Sequence, residues 1–354
     1  EISACLVGSE MCIRDRYMRI GFIGCGGMGS THYKCLKLLS ESHPIEVTAL
    51  ADAREECLDK AAKFWPNAKR YSDGLDLIRD EDVETVFICV PSYLHTDMAL
   101  AAMKKNMNIF LEKPACLKRE ECELLLKQHK VTPVKVMVGQ VVRSMPEYLF
   151  LKDVYEKKNY GNLRSIVMQR ISGDVKWGFE DWFHDENRSG SVILDLHIHD
   201  LDFLRYMLGE PDYADVHTTK FDSGMINQVI TNYKFGNIAA MAEGVWHSAT
   251  KMPFEANYRA DFDNATIRFN STATDKITIY TASGDKIIPE LDTKEMDNPD
   301  SGINVTDLGA YYLEDEYFID CVLNEKENTR ATLHDGIKSV LAAISELEKA
   351  KANG

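Results

Sequence analysis

Three short segments carry side chains whose types and spacing suit acid–base chemistry beside a phosphate-bearing ligand. Gly24-Cys25-Gly26-Gly27-Met28-Gly29 follows the apolar run Arg19-Ile-Gly-Phe-Ile23 and opens a helical stretch. In such a turn the first glycine allows the sharp bend and the second lets the backbone approach a pyrophosphate. The third lets the helix pack on the sheet, and the helix N-terminus supplies partial positive charge. Glu112-Lys113-Pro114 follows another apolar run, and the proline fixes the backbone so that the lysine projects from a strand end. Asp195-Leu196-His197-Ile198-His199-Asp200-Leu201-Asp202 reads as part of a helix from Ser191 to Leu208. On a regular helix Asp195, His199 and Asp202, spaced by four and then three, share one face. His197 is turned away from that face by about 200°.

The elements that must position these groups alternate between strand and helix. Apolar runs at 19–23, 46–51, 85–90, 108–111 and 134–138, with a weaker one at 69–71, are interleaved with helical stretches. That grammar predicts a parallel sheet covered on both faces. Asp52 ends the second strand, 28 residues after Gly24. A carboxylate there accepts hydrogen bonds from the ribose hydroxyls of a dinucleotide and opposes a 2′-phosphate, so NAD is the expected cofactor. Arg54, two residues on, suits a 2′-phosphate and keeps NADP as the alternative. Pro91, Ser92 and His95 follow the strand at 85–90, where ligands meet open α/β sheets, and join the expected cofactor set with Glu112 and Lys113.

After Gly139 the pattern changes to repeated strands with turns such as Phe235-Gly236-Asn237, closed by two helices at 311–323 and 333–350. The expected organisation is therefore α/β: residues 18–139 as a dinucleotide-binding domain and 140–354 as an α+β domain with a mostly antiparallel open sheet. Residues 1–17 show no periodicity, and Met11 to Arg16 matches the translation of a library-preparation adapter, so they are read as a non-native leader with Met18 as the start. Gln140 and Arg143, just past the crossover, and Asp202, on the His199 face, are candidates to touch substrate. Trp177, Trp182 and Trp246 offer aromatic faces to a sugar.

The net charge of −15 repels phosphate backbones and anionic lipid. Neither a nucleic-acid partner nor a membrane is expected. Nine cysteines without a Cys-x-x-Cys pair fit reduced thiols in a cytoplasm better than a disulfide or zinc framework. No metal is expected at the histidine-rich helix, because its ligand-type residues spread around the axis.

Taken together, the glycine turn, the Pro91 to His95 segment, Glu112-Lys113-Pro114, and Asp195-x-x-x-His199 preceded by Ser189-Gly190 resemble the Gfo/Idh/MocA oxidoreductases. The resemblance runs from Met18 nearly to the C-terminus. It implies a Rossmann domain, a C-terminal domain whose open sheet makes homodimer or homotetramer contacts, and Lys113, Asp195 and His199 as a catalytic trio. His197 departs from the glycine or small residue that relatives often carry. For the oxidation of a secondary alcohol of a sugar, polyol or inositol-like compound, His199 is a natural base near neutral pH. Asp195 orients it or binds a neighbouring hydroxyl. Lys113 stabilises a developing alkoxide or itself acts as base, and which residue takes the proton stays open. Two rivals remain: an NAD-dependent glycosidase of the same fold, and a non-catalytic NAD-binding regulator.

Overall fold

The computed structural model describes residues 17–80, 83–249, 251–293, 296–298, 305 and 307–353; most of the leader, residues 1–16, lies outside them. In chain order the first half contains β1 (Met18–Ile23), α1 (Gly27–Leu39), β2 (Ile45–Ala51), α2 (Glu55–Ala62), β3 (Lys69–Tyr71), α3 (Gly74–Arg79) and β4 (Thr85–Ile88). It continues with α4 (His95–Lys104), β5 (Asn108–Glu112), α5 (Arg119–His129) and β6 (Val136–Gly139). All six strands are parallel, in the order β3-β2-β1-β4-β5-β6. The strand direction of winding reverses between β1 and β4. At that reversal two loops diverge and leave a crevice at the carboxyl ends of the strands. The strands are short and apolar because both faces are covered; β4 is buried at all four positions.

The second half holds α6 (Pro146–Lys157), β7 (Leu163–Gly173), α7 (Glu186–Ser189), α8 (Ile198–Leu208), β8 (Tyr213–Lys220), β9 (Ile226–Phe235) and β10 (Ile238–His247). Then come β11 (Glu255–Phe262), β12 (Ala265–Asn270), β13 (Ile277–Thr281), β14 (Lys286–Ile287), α9 (Gly309–Leu323) and α10 (Leu333–Asn353). The eight strands form one sheet, β14-β13-β12-β11-β7-β10-β9-β8, antiparallel throughout except for the β7–β10 pair. The expected α/β class with a mostly antiparallel second sheet is what the chain adopts. Among the described residues no helix is long and apolar enough to cross a membrane.

One element returns across the sequence. Phe318 and Ile319 of α9 share a core with Phe22, Phe87 and Phe110 of the first sheet, and Phe318 meets Phe87 and Phe110 edge-on at 5.6 and 5.7 Å. Inside this junction lies Glu314, whose carboxyl has no hydrogen-bond partner among the described residues. Burial, then the neighbouring Glu112, pushes its pKa well above the carboxylate range, so it keeps its proton. The unfolded chain ionises this group near pH 4.5, so the stability it contributes is full below that pH. It is lost as pH rises toward the folded value, by up to about 1.4 kcal/mol per pH unit. Asp315 and His32 shift upward as well and act with the same sign. Glu314→Gln is therefore expected to raise the thermal midpoint at pH 8 and flatten its decline between pH 5 and 8. Parallel declines for the variant and the wild type would show that Glu314 is ionised in the fold.

Candidate active site

A cleft of about 1120 Å³ runs from the β1–α1 turn across the carboxyl ends of the first sheet to the second sheet. Gly24, Gly26, Gly27, Met28, Asp52, Arg54, Pro91, Ser92, Glu112 and Lys113 line it from one side. Asp195, His199, Trp177, Trp182, Trp246 and Tyr311 line it from the other. The glycine turn is shaped for a close ligand. Gly24 has φ 91°, and a Cβ there would sit 2.5 Å from the Cys89 carbonyl oxygen; one on Gly29 would sit 1.8 Å from the Gly24 carbonyl oxygen. Only glycine permits both approaches, and the helix amides are left facing the cleft.

Asp52 is held ready at the end of β2. Its Oδ2 accepts the Cys25 backbone N–H at 2.8 Å, and its Oδ1 accepts the Arg54 N–H at 2.9 Å and Nε at 3.2 Å. The Arg54 guanidinium lies over Gly26, 2.6 Å from where a Cβ would be, and 5.1 Å from the centre of the Phe179 ring. Cys25 and Gly29 do not line the cleft themselves: the first contributes a backbone amide to Asp52, and the second the helix–turn packing. The spacing predicts His95 among the cofactor contacts, but it is buried behind the residues that line the cleft. Its ring nitrogens lie 2.7 Å from the Pro114 and 2.8 Å from the Val90 carbonyl oxygens. It ties together the two loops that carry Ser92 and Lys113, the latter joined to Pro114 by a cis peptide bond.

Lys113 and the histidine helix meet across the two halves. Lys113 Nζ donates to Asp195 Oδ1 at 2.9 Å and to the Asp195 carbonyl oxygen at 2.7 Å. The expected regular helix from Ser191 is interrupted. Gly190 and Ser191 have φ of 72° and 63°, and Ile193–His197 is a π turn in which the Ile198 N–H reaches back five residues to Ile193. A widened turn releases main-chain carbonyls from the i→i−4 ladder, and the Asp195 carbonyl is the one Lys113 takes. Asp195 thus holds Lys113; it makes no hydrogen bond to His199. His199 Nδ1 has no hydrogen-bond partner among the described residues. Burial, then the positive charges of Lys113 and Arg170, holds its pKa well below the ordinary histidine range. The imidazole is neutral at pH 7 and is able to accept a proton.

The rest of the helix is anchored rather than open. Arg143 and Asp202, expected at the substrate, form a buried bidentate pair, Nε–Oδ2 2.7 Å and Nη2–Oδ1 2.8 Å, with Ser339 Oγ donating to Asp202 at 2.6 Å. Neither lines the cleft, nor does Gln140, which is 1% exposed. The reason is geometric. The π turn carries Asp195 and His199 toward Lys113, while α8 turns Asp202 toward the Arg143 loop. Asp200, on a third side, pairs with Arg170 at 2.8 Å. His197 points away from the trio as expected, its Nε2 2.9 Å from Glu346 and 3.0 Å from the Tyr233 hydroxyl.

An aromatic wall completes the site. Trp182 stacks on Phe183 at 3.9 Å, Trp177 meets Phe183 edge-on at 4.7 Å, and Phe183 meets Trp246 at 6.1 Å. Sequence reasoning missed Phe179 and the Arg188–Tyr93 contact (Nη2 to hydroxyl, 2.8 Å), which bring the 174–189 segment onto the first half. It also missed Tyr311, which arrives from α9.

Comparison with known proteins agrees with this geometry. Residues 18–140 match the profile described as the GFO/IDH/MocA oxidoreductase family, NAD-binding Rossmann fold, and residues 148–282 match the GFO/IDH/MocA C-terminal domain. Myo-inositol 2-dehydrogenase of Thermotoga maritima is 30% identical over 193 residues, 54% of this chain and 55% of that protein, so the match spans about half of that relative's length. The scyllo-inositol 2-dehydrogenase (NAD(+)) of Bacillus subtilis is 26% identical over 330 residues, 88% of each chain. Levoglucosan dehydrogenase, solved with NADH and levoglucosan, shares the fold with a TM-score of 0.81 at 19% identity, over 96% of this chain and 98% of that one. With both of its halves matched in order, a glycine turn on the first and the Asp195–His199 segment on the second, this chain belongs to the GFO/IDH/MocA oxidoreductase family.

Proposed function

We propose that the protein is an NAD-dependent dehydrogenase of a secondary alcohol on a sugar, polyol or inositol-like substrate. One observation carries this reading: Lys113, fixed by Asp195, and a neutral His199 line the same cleft as the glycine turn and Asp52. The names of the inositol and levoglucosan dehydrogenases among the relatives support the substrate class. The glycine turn, Asp52 and the Pro91–Ser92 loop would hold NAD, which supplies the hydride acceptor. The chain's own residues handle the proton and the charge. His199 accepts the hydroxyl proton as the C–H hydride leaves, and Lys113 stabilises the oxygen as it becomes an alkoxide and then a carbonyl. In the reverse direction His199 returns the proton. The Trp177 and Trp182 faces suit the C–H side of a sugar ring.

Purified protein with a panel of polyols and sugars, followed by absorbance of reduced nicotinamide, tests the reading; no reduction across the panel contradicts it. Asp52 is partly neutralised by Arg54, so cofactor choice is a contest between the two. Asp52→Ser is expected to narrow or reverse the ratio of kcat/KM for NAD over NADP. A wild type that already favours NADP would mean that Arg54 dominates.

A further inference from the structure

Beside Lys113 lies a buried charge cluster that the reaction above does not use. Glu112 ends β5 with 5% exposure, and its two carboxylate oxygens face different ways. Oε2 accepts the Lys113 backbone N–H at 2.9 Å, while Oε1 lies 2.9 Å from His32 Nε2. The second ring nitrogen of His32, Nδ1, lies 2.8 Å from Asp315 Oδ1. His32 and Asp315 are fully buried. An imidazole set between two carboxylates donates to both only when doubly protonated. Burial opposes that charge, but Asp315 and Glu112 outweigh it, and the pKa of His32 is well above its ordinary value. Glu314, alongside, stays neutral. The chain Lys113–Glu112–His32–Asp315 therefore links β5, α1 and α9, elements drawn from both ends of the sequence.

We propose that Glu112, braced by His32 and Asp315, is a positioning residue for Lys113: it clamps the Lys113 amide so that Nζ leaves the strand end on course for both Asp195 oxygens. The inference rests on the dehydrogenase reading. Glu112 reaches no substrate in this role, because both of its oxygens are already engaged. Its neighbour's ammonium must meet a carboxylate oxygen and a carbonyl oxygen at once, so a small rotation at the strand end is enough to lose one. Displacements of about 1 Å at a reacting group lower turnover by up to about 10²-fold.

Glu112→Gln keeps the shape and one acceptor oxygen but removes the charge that pairs with His32. Its kcat is expected to fall by about 10- to 100-fold, with KM and the Kd for NAD changed less than about twofold. Placed on a Lys113→Ala background and followed in single turnovers, Glu112→Gln should cause no further loss, because its effect passes through Lys113. Asp315→Asn, one group further away, should show a smaller fall of the same kind, and it carries the test if Glu112→Gln fails to fold. An undiminished kcat in the folded variants overturns the proposal. So does an equal further loss on the Lys113→Ala background, which would signify a general structural role. Full activity in Lys113→Ala itself would instead strike at the dehydrogenase reading.

Discussion

His199→Ala is expected to lower turnover by about 10²–10⁴-fold, the range for loss of a positioned acid–base group, or about 3–5.5 kcal/mol of barrier. NAD affinity should stay within about twofold of wild type, because the residues proposed to hold the cofactor, the glycine turn and Asp52, lie in the other half of the chain. Lys113→Ala should be at least as damaging, since it removes the cation proposed to stabilise the alkoxide and breaks the ion pair with Asp195. The pH profile adds a sign. Because burial holds the His199 pKa well below the ordinary histidine range, kcat/KM should already be on its plateau at pH 7. It should fall only as the solution becomes acidic enough to protonate the ring. His197, on the opposite side of the helix against Glu346 and Tyr233, should register in stability more than in turnover. NAD titration by fluorescence and steady-state kinetics on folded variants check these values; equal losses of turnover at His197 and His199 would mean that the face is misassigned.

Arg143→Ala is expected to be among the most destabilising single substitutions in the protein. It strands the buried Asp202 carboxylate, with only Ser339 and no counter-charge from Arg143. Breaking such a pair from one side costs about 3–5 kcal/mol. The substituted chain also loses the Arg143 donation to the Arg330 carbonyl at 2.6 Å and the stack on Tyr206 at 4.5 Å. Asp202→Ala should be similar, and the double variant should cost much less than the sum of the two, because neither charge is then left alone. Denaturant unfolding of the three variants measures this, and strict additivity would contradict a coupled pair. Whatever folds should keep a KM close to wild type, in contrast to a substrate contact.

His199 and Arg143 differ in how far their roles are set by local spacing. The glycine turn and Asp52 are legible because their spacing is set by local geometry: a strand, a bend and a helix of fixed rise leave few other arrangements. Lys113 is legible as a lysine at a strand end, and the i,i+4 spacing identifies His199 as a cleft residue with Asp195. What spacing does not carry is the partner. Arg143 and Asp202 lie 59 residues apart and read as free polar groups until the fold buries them together. The π turn at Ile193–His197 does not show in the i,i+4 spacing, and its Asp195 carbonyl is taken by Lys113, 82 residues away. His32 reads as one more helical residue after a glycine turn; only the return of α9 places Asp315 against it. Long-range pairing of charges is decided by tertiary burial, and a single sequence is nearly silent on it.

In the proposed reaction a hydride passes directly between a carbinol carbon and nicotinamide in this cleft. The most direct measurement uses a polyol or sugar from the panel that carries deuterium on its carbinol carbons, incubated with the protein and NAD. The reduced cofactor is then isolated and its nicotinamide C4 position analysed by mass spectrometry and NMR. One deuterium per nicotinamide reduced is expected, and none with His199→Ala over the same interval. Consumption of the substrate without deuterium at C4, or release of an aglycone with no net reduced nicotinamide, would contradict it.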